Sequence, residues 1–330
     1  MPSNLSETRA ALGSKDKDRQ LAFYIAKAKK YEAANASFQT DWMNNLLCYM
    51  GNQWSYFKGV REGIADIAPF GQDSDLNKWK VVRNITRNFI TTLVGRFLKD
   101  EPTYDVIPNS IEPEDLEAAR TGKEILSWWS SRINLNSLLR ELLTSVFVFG
   151  TAFVKVYYCP SGTKSAKNPN YNPEDANSKA EYEVDIPDIK ADVLLPFEVL
   201  PDPMCDSPDL DRCQSVIIKR AFCVEYVKEL YDDEEVTASS SDSNTLMNSI
   251  ASNFRGSTPS NDMVTVYEYW ARKSKKHPKG VFAVWTHDRM LVPETDLPYN
   301  LPEIFISKFD DVMIPKRFWG GSVTTDLREA

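Results

Sequence analysis

The chain has 330 residues, enough for roughly two domains, with 42% hydrophobic and 26% charged residues, a composition that excludes dominant disorder, collagen-like repeats and a pure coiled coil. Thirty-nine Lys and Arg against 47 Asp and Glu leave a net charge of −8, so the protein cannot coat nucleic acid through bulk positive charge and any such contact must be local. The best apolar run, Leu142 to Val154, is too short for a bilayer span, which needs about 20 residues. The N-terminus MPSNLSETRAALGSKDKDRQ lacks the apolar core of a secretory signal, so residence in a cytosol and no membrane partner are expected.

From Leu21, apolar residues recur at Tyr24, Ile25, Ala28, Tyr31, Phe38, Trp42 and Leu46, which predicts one long amphipathic helix or two joined ones, ended by Gly51 and Asn52. Gly59 to Asp75, with three glycines and a proline, reads as an irregular loop. A second helix is expected over Asn84 to Leu98, with Ile85, Phe89, Leu93, Val94 and Phe97 on one face and Arg83, Arg87 and Thr91 on another. Pro102 to Pro108 reads as a short extended segment.

Pro113, followed by Glu114, Asp115 and Glu117, fits a helix N-terminus. Leu116 to Val146 is expected to be chiefly helical, with Trp129, Leu139 and Leu142 buried against the Asn84 to Leu98 helix. Gly150 should be the hinge into a strand over Thr151 to Tyr158. Pro160 to Ala180 reads as a surface loop, Tyr182 to Ile189 and Ala191 to Val199 as strands, and Pro201-Asp202-Pro203 as a break. Gln214 to Phe222 is a strand candidate and Val224 to Tyr231 a short helix, whereas Asp232 to Asp262 is acidic and Ser/Asn-rich and is expected to be mobile. Val264 to Trp270, a hairpin over Val281 to Val292 turning at His287-Asp288, and Ile304 to Phe309 complete a β-rich C-terminal half.

The sequence contains no GxxxxGK[ST] phosphate loop, GxGxxG after a strand, GxSxG or HExxH. The two histidines, His277 and His287, have no cysteine at metal-ligand spacing, and no metal site is expected from them. Cys48, Cys159, Cys205, Cys213 and Cys223 are odd in number and scattered, so reduced thiols are expected. The acidic cluster Asp202, Asp206, Asp209 and Asp211 has the hard oxygen ligands of a Mg²⁺ site, although its prolines and turn formers also fit a plain loop. Between Leu76 and Lys99 stand six basic residues, Lys78, Lys80, Arg83, Arg87, Arg96 and Lys99, and no acidic one. They are the candidates for a nucleic-acid or subunit contact, with a merely solvated helix face as the alternative.

Several stretches, in order, resemble the N-terminal half of tailed-bacteriophage portal proteins: GNQW at Gly51 to Trp54; KWKVVRNITRNFITTLVGRFLKDEPTYDVIPNS; the helix-to-strand passage DLEAARTGKEILSWWSSRINLNSLLRELLTSVFVFGTAFVKVYY; and DVLLPFEVLPDPMCDSPDLDRCQSVIIKRAFCVEYVKELY. MIPKRFWGGSVTTDLREA is similar to the portal passage that enters the first stem helix, so the chain is expected to be part of a longer portal polypeptide. The implied fold is α+β, a helical N-terminal half followed by a β-rich α+β wing-type region that stops at the start of a stem helix. Residues 1–159 would form a helical wing region with a terminal strand, 160–181 a surface loop, 182–231 an α+β wing segment, 232–262 a mobile linker, and 263–330 a β-hairpin segment leading to the stem.

The resemblance further implies a non-enzymatic subunit of a homo-oligomeric ring, expected to be a dodecamer, that forms a channel for double-stranded DNA at one capsid vertex. The implied partners are the major capsid protein, scaffolding protein, terminase motor and tail or adaptor proteins, with no cofactor and no membrane. The implied location is the virion, after assembly in the host cytoplasm. A net acidic surface suits a conduit that DNA must slide through without adhering. Two other readings stand beside this one: a metal-dependent nuclease using Asp202, Asp206 and Asp211, and a virion adaptor protein.

Overall fold

The computed structural model describes residues 14–61, 64–69, 83–99, 105–159, 163–167, 181–185, 188–238, 262–298 and 304–329. The first helix, α1 (Ser14–Met50), is a single rod of 37 residues, about 55 Å long at 1.5 Å per residue. It ends at Gly51, whose φ of +91° suits a residue without a Cβ. A hairpin follows, β1 (Ser55–Arg61) against β2 (Ile64–Pro69), where the glycines and proline predicted an irregular loop. Gly59 and Pro69 lie within its strands instead, and Phe57, buried against α1, anchors it. The remainder of that loop, through Asp75, lies outside the described residues.

Next come α2 (Ile85–Phe97), α3 (Pro113–Arg132) and α4 (Leu135–Phe149). Gly150 adopts φ +85° and hands α4 to β3 (Thr151–Tyr158), as the glycine and the β-branched run predicted. Five short strands then appear: β4 (Thr163–Lys167), β5 (Glu181–Asp185), β6 (Ile189–Leu194), β7 (Val199–Pro201) and, past a single 3-10 turn at Leu210–Arg212, β8 (Ser215–Cys223). The β4–β5 pairing corrects the expectation of a surface loop at Pro160 to Ala180, of which 160–162 and 168–180 lie outside the described residues. After α5 (Val224–Tyr231) the chain continues through β9 (Met263–Ala271), the hairpin β10 (Val281–Trp285) with β11 (Met290–Thr295), β12 (Ile306–Asp310) and α6 (Val323–Glu329).

The architecture is α+β, built on antiparallel sheets. A five-stranded sheet has the order β11-β10-β9-β8-β7, and a three-stranded sheet the order β12-β3-β6. Both faces of the larger sheet are covered, and the two-residue period of its strands sorts their side chains. Ile217, Tyr267, Tyr269, Ala283 and Trp285 meet Tyr24, Ala28 and Tyr31 of α1 on one face. Val216, Ile218, Val266, Trp270 and Val284 join the main core on the other, with Phe153, Leu194, Phe197 and the second half of α1. Trp42, Trp319, Phe318, Phe153 and Phe197 form a chain of edge-on and stacked rings through that core.

Ion pairs bridge the two sheets within this packing. Lys155 of β3 lies 2.5 Å from Glu268 of β9, and Arg220 of β8 lies 2.8 Å from Asp192 of β6. Burial raises the pKa of Glu198 against the opposing pull of the Leu195 amide and Arg220.

The GGS passage after β12 closes the fold against the end of α4. Ser322 Oγ is 2.8 and 2.9 Å from the carbonyl oxygens of Phe147 and Val148, and Thr324 Oγ1 donates to Phe147 at 2.9 Å. These hydroxyls take up helix-terminal carbonyls that have no partner within the helix. Gly320 N donates to Thr151 Oγ1, which in turn donates to Asp310, while Val323 N donates to Asp311 at 2.7 Å. Burial raises the pKa of Asp311, and the carboxylate of Asp326 adds to that rise.

Residues 232–238 of the segment expected to be mobile are folded back. Val236 is buried, and Asp233 and Glu235 both pair with Arg289. Residues 239–261 lie outside the described set. Cys205 and Cys213 form a disulfide, contrary to the expectation of reduced thiols, with Cα atoms 5.4 Å apart across a tight turn. Counting cysteines along the chain cannot register that proximity.

Candidate interface on the outward helices

α2 is held at its start by Asn84, whose side chain accepts from the Arg87 amide and donates to the Tyr49 carbonyl at the end of α1. Its buried stripe is Thr86, Ile90 and Val94, and Phe97 touches Phe147 of α4 at a ring distance of 5.8 Å. The predicted apolar face is therefore split. Val94 is buried and Leu93 half-buried, but Ile85 (59% exposed), Phe89 (42%) and Phe97 (61%) turn outward. Two apolar stripes share this helix, and hydrophobic spacing alone does not say which of them faces the core.

Ile85, Asn88, Phe89, Thr92 and Arg96 follow one another at helical spacing on the outward side. With Arg83 and Leu93 they line an open groove of about 450 Å³. Arg83 and Arg96 stand at its two ends. Arg87 and Lys99 are exposed but do not line the groove, and Lys78 and Lys80 lie outside the described residues. None of the four described cations forms an ion pair with another described residue.

α3 is attached more loosely. It carries Pro at its first position and Glu114 and Asp115 in its first turn, as the sequence predicted, yet buries none of its 20 residues. Its anchors are local. Gly122 faces Val106, Lys123 meets Asp105 at 2.8 Å, Trp129 Nε1 donates to the Ile189 carbonyl, and Arg132 grips both oxygens of Asp188. The Lys123 and Arg132 contacts hold the carboxyls of Asp105 and Asp188 below the usual carboxylate range.

The expected burial of Trp129, Leu139 and Leu142 against α2 is not what occurs. Leu142 packs with Val146 and Ala152, joined by Leu139, Val154 and Val193, so α4 uses this face for the three-stranded sheet. Trp129 reaches β6 through its indole N–H. On α3 the outward side instead shows Glu114, Glu117, Thr121, Ile125 (55% exposed) and Trp128 (53%), again at helical spacing.

The acidic loop has other employment. Asp202 accepts from the Met204 amide, Asp209 from the Asp211 amide, and Asp211 pairs with Arg272 at 2.8 Å. Asp206 is exposed beside the disulfide. Among the described residues no group of three or more His, Cys, Asp or Glu side chains is placed to hold a metal ion. His277 is exposed and His287 half-buried. Among the described residues no helix is long and apolar enough to cross a membrane.

α2 groups exposed apolar side chains with cations alone, whereas α3 groups them with both signs of charge, Arg120 pairing with Glu124 and Arg132 lying over the Trp128 ring at 5.3 Å. The model of the Phage P22-like portal protein family matches residues 72–296, over half of the chain, and the chain belongs to that family. No curated protein gives a significant match.

Proposed function

We propose that this chain is a subunit of the phage portal ring at one capsid vertex, a non-enzymatic channel for DNA packaging and ejection and a platform for head assembly, terminase docking and tail attachment. The observation that carries the reading is the family match over 72–296, which spans both outward helices and the whole five-stranded sheet. A capsid protein, a scaffolding protein, an ATP-driven terminase and tail or adaptor proteins are its partners on this reading, with duplex DNA passing through a ring of twelve. The surplus of eight negative charges fits a passage that does not retain DNA. The exposed cations of α2 then serve contacts between proteins.

Electron microscopy of the purified full-length chain tests this. Closed rings with a central channel are the expected image. A monodisperse monomer at all concentrations, or metal-dependent cleavage of DNA lost in Asp202→Ala with Asp206→Ala, overturns the proposal.

A further inference from the structure

The outward face of α2 carries cations and no acid, the N-terminal end of α3 carries Glu114 and Glu117, and both helices expose apolar side chains. The α2 groove has Ile85, Phe89 and Leu93 between Arg83 and Arg96, while α3 offers Ile125 and Trp128 beyond Glu114 and Glu117. In the isolated chain Ile85, Phe89, Ile125 and Trp128 all remain exposed, so the two faces do not cover each other within one copy. No ion pair between described residues involves Arg83, Arg96, Glu114 or Glu117. From this complementarity we infer that α3 of one copy lies in the α2 groove of a second copy, with Trp128 as the anchor seated against Phe89 and the Glu114/Glu117 end directed towards the arginine at one end of the groove. The inference rests on the ring reading above and specifies which surfaces meet.

Three physical points favour this occupant. An amphipathic helix docks in a groove through side chains at spacings of three and four, the pattern Glu114, Glu117, Thr121, Ile125, Trp128 supplies. Trp is the residue most often found as a binding anchor at the centre of a protein interface, and a ring seated on Phe89 gains stacking as well as burial. Each face is complementary to the other and not to itself, and on the ring reading, which excludes a reciprocal two-fold pair, the contact is head-to-tail and leaves an unused α2 and an unused α3 at the ends of every dimer. Such a contact propagates until it closes.

The test uses the full-length chain and native mass spectrometry. Arg83→Glu with Arg96→Glu places acids against acids, and Glu114→Arg with Glu117→Arg places bases against bases. Each pair is expected to weaken assembly on the order of a hundredfold. All four side chains are exposed, so circular dichroism should stay unchanged, and the monomer's melting temperature should fall only slightly, because Arg96 and Glu114 sit in terminal turns where they favour the helix dipole. Mixed together, the two variants regain complementary contacts and should form alternating assemblies. Where a charge variant fails to fold, Phe89→Cys and Trp128→Cys chains, both with Cys159→Ser and Cys223→Ser, serve instead. Oxidised together they should give a disulfide between unlike chains, and the absence of that product overturns the inference.

Variants that assemble like the wild type, or a mixture that does not recover, remove the α2–α3 contact while leaving the ring reading intact. A wild-type chain that never assembles defeats the ring reading itself. A groove filled by the chain's own residues would show as a fall in monomer melting temperature in Phe89→Ser with assembly unaffected by either charge reversal, and this too overturns the inference.

Discussion

The junction at Gly150 and the helix α3 are close in sequence and opposite in construction. At the junction the α4 carbonyls are taken by Ser322 and Thr324, Asp311 N donates to the Gly150 carbonyl, and the backbone of Gly320 and Gly321 lies directly over Gly150. α3, by contrast, has no buried residue and meets the body at scattered points. One region has its partners inside the chain. The other leaves apolar area and charge without them, and that is where a second molecule gains most by binding.

Breaking the junction should therefore produce the largest effect on the isolated chain. A Cβ on Gly150 would come within 2.7 Å of the Gly321 carbonyl oxygen and 2.8 Å of that of Gly320, at φ +85°. Backbone strain and overpacking together predict a loss of roughly 2–6 kcal/mol for Gly150→Ala. Guanidinium unfolding with an unchanged m-value measures it, and a loss under about 1 kcal/mol would mean that the junction yields easily. Next in size is Ser322→Ala, which removes the hydroxyl shared by Phe147 and Val148 and the acceptor of the Thr324 amide. With the site buried, about 1–3 kcal/mol should be lost. Hydrogen exchange should quicken at the end of α4 and the start of α6 while the five-stranded sheet stays protected.

The same contrast explains which parts of the molecule are legible in the sequence. The α4–Gly150–β3 turn is announced by a local signal, an apolar helix ending in glycine before a β-branched run, and the structure follows it residue for residue. The β10–β11 hairpin is legible for the same reason. The outward stripe of α2 is not. Ile85, Phe89 and Phe97 have the spacing of a core face, and only the position of α1 and α4 decides that Thr86, Ile90 and Val94 turn inward. Likewise Ser322 and Thr324 look like ordinary polar residues until α4 is brought to them from 175 positions away. The cations at Arg83 and Arg96 are visible in the sequence as part of an acid-free run, but that only Arg83 and Arg96 of the described four line the α2 groove is set by the fold.

A subtler test of the junction uses pH. Asp311 is half-buried beside the start of α6, and the loss of solvation together with Asp326 raises its pKa in the folded state. A carboxyl raised on folding binds more protons in the native than in the unfolded chain, so its contribution falls as pH rises from the ordinary carboxyl value through the folded value. Asp311→Asn keeps an oxygen for the Val323 amide and removes the ionisation. It should lose less stability than the wild type over that rise and match or exceed it at pH 7, by thermal unfolding across the acid range. Lower stability of the variant at pH 7 would show that the ionised carboxylate is worth more to the α6 N-terminus than its burial costs.

The smallest expected effect lies on α2, where the comparison can be drawn within one helix. Ile85 and Ile90 are the same residue type five positions apart, one 59% exposed and the other fully buried. Truncating Ile90 to Ala opens a cavity in the core and should cost about 2–5 kcal/mol. Ile85→Ala removes side-chain area that water already touches, and alanine is the better helix former, so the monomer should change by no more than about 0.5 kcal/mol. If Ile85 has a partner in a second copy, its truncation should nevertheless shift the protein concentration at which assemblies appear, with the dilute-solution melting temperature unmoved. Sedimentation over a concentration series reads the first quantity and calorimetry at the dilute end the second. A melting temperature that falls as far for Ile85→Ala as for Ile90→Ala would show that the groove is already filled within the chain, and the distinction between a satisfied junction and unsatisfied helices would then fail at α2.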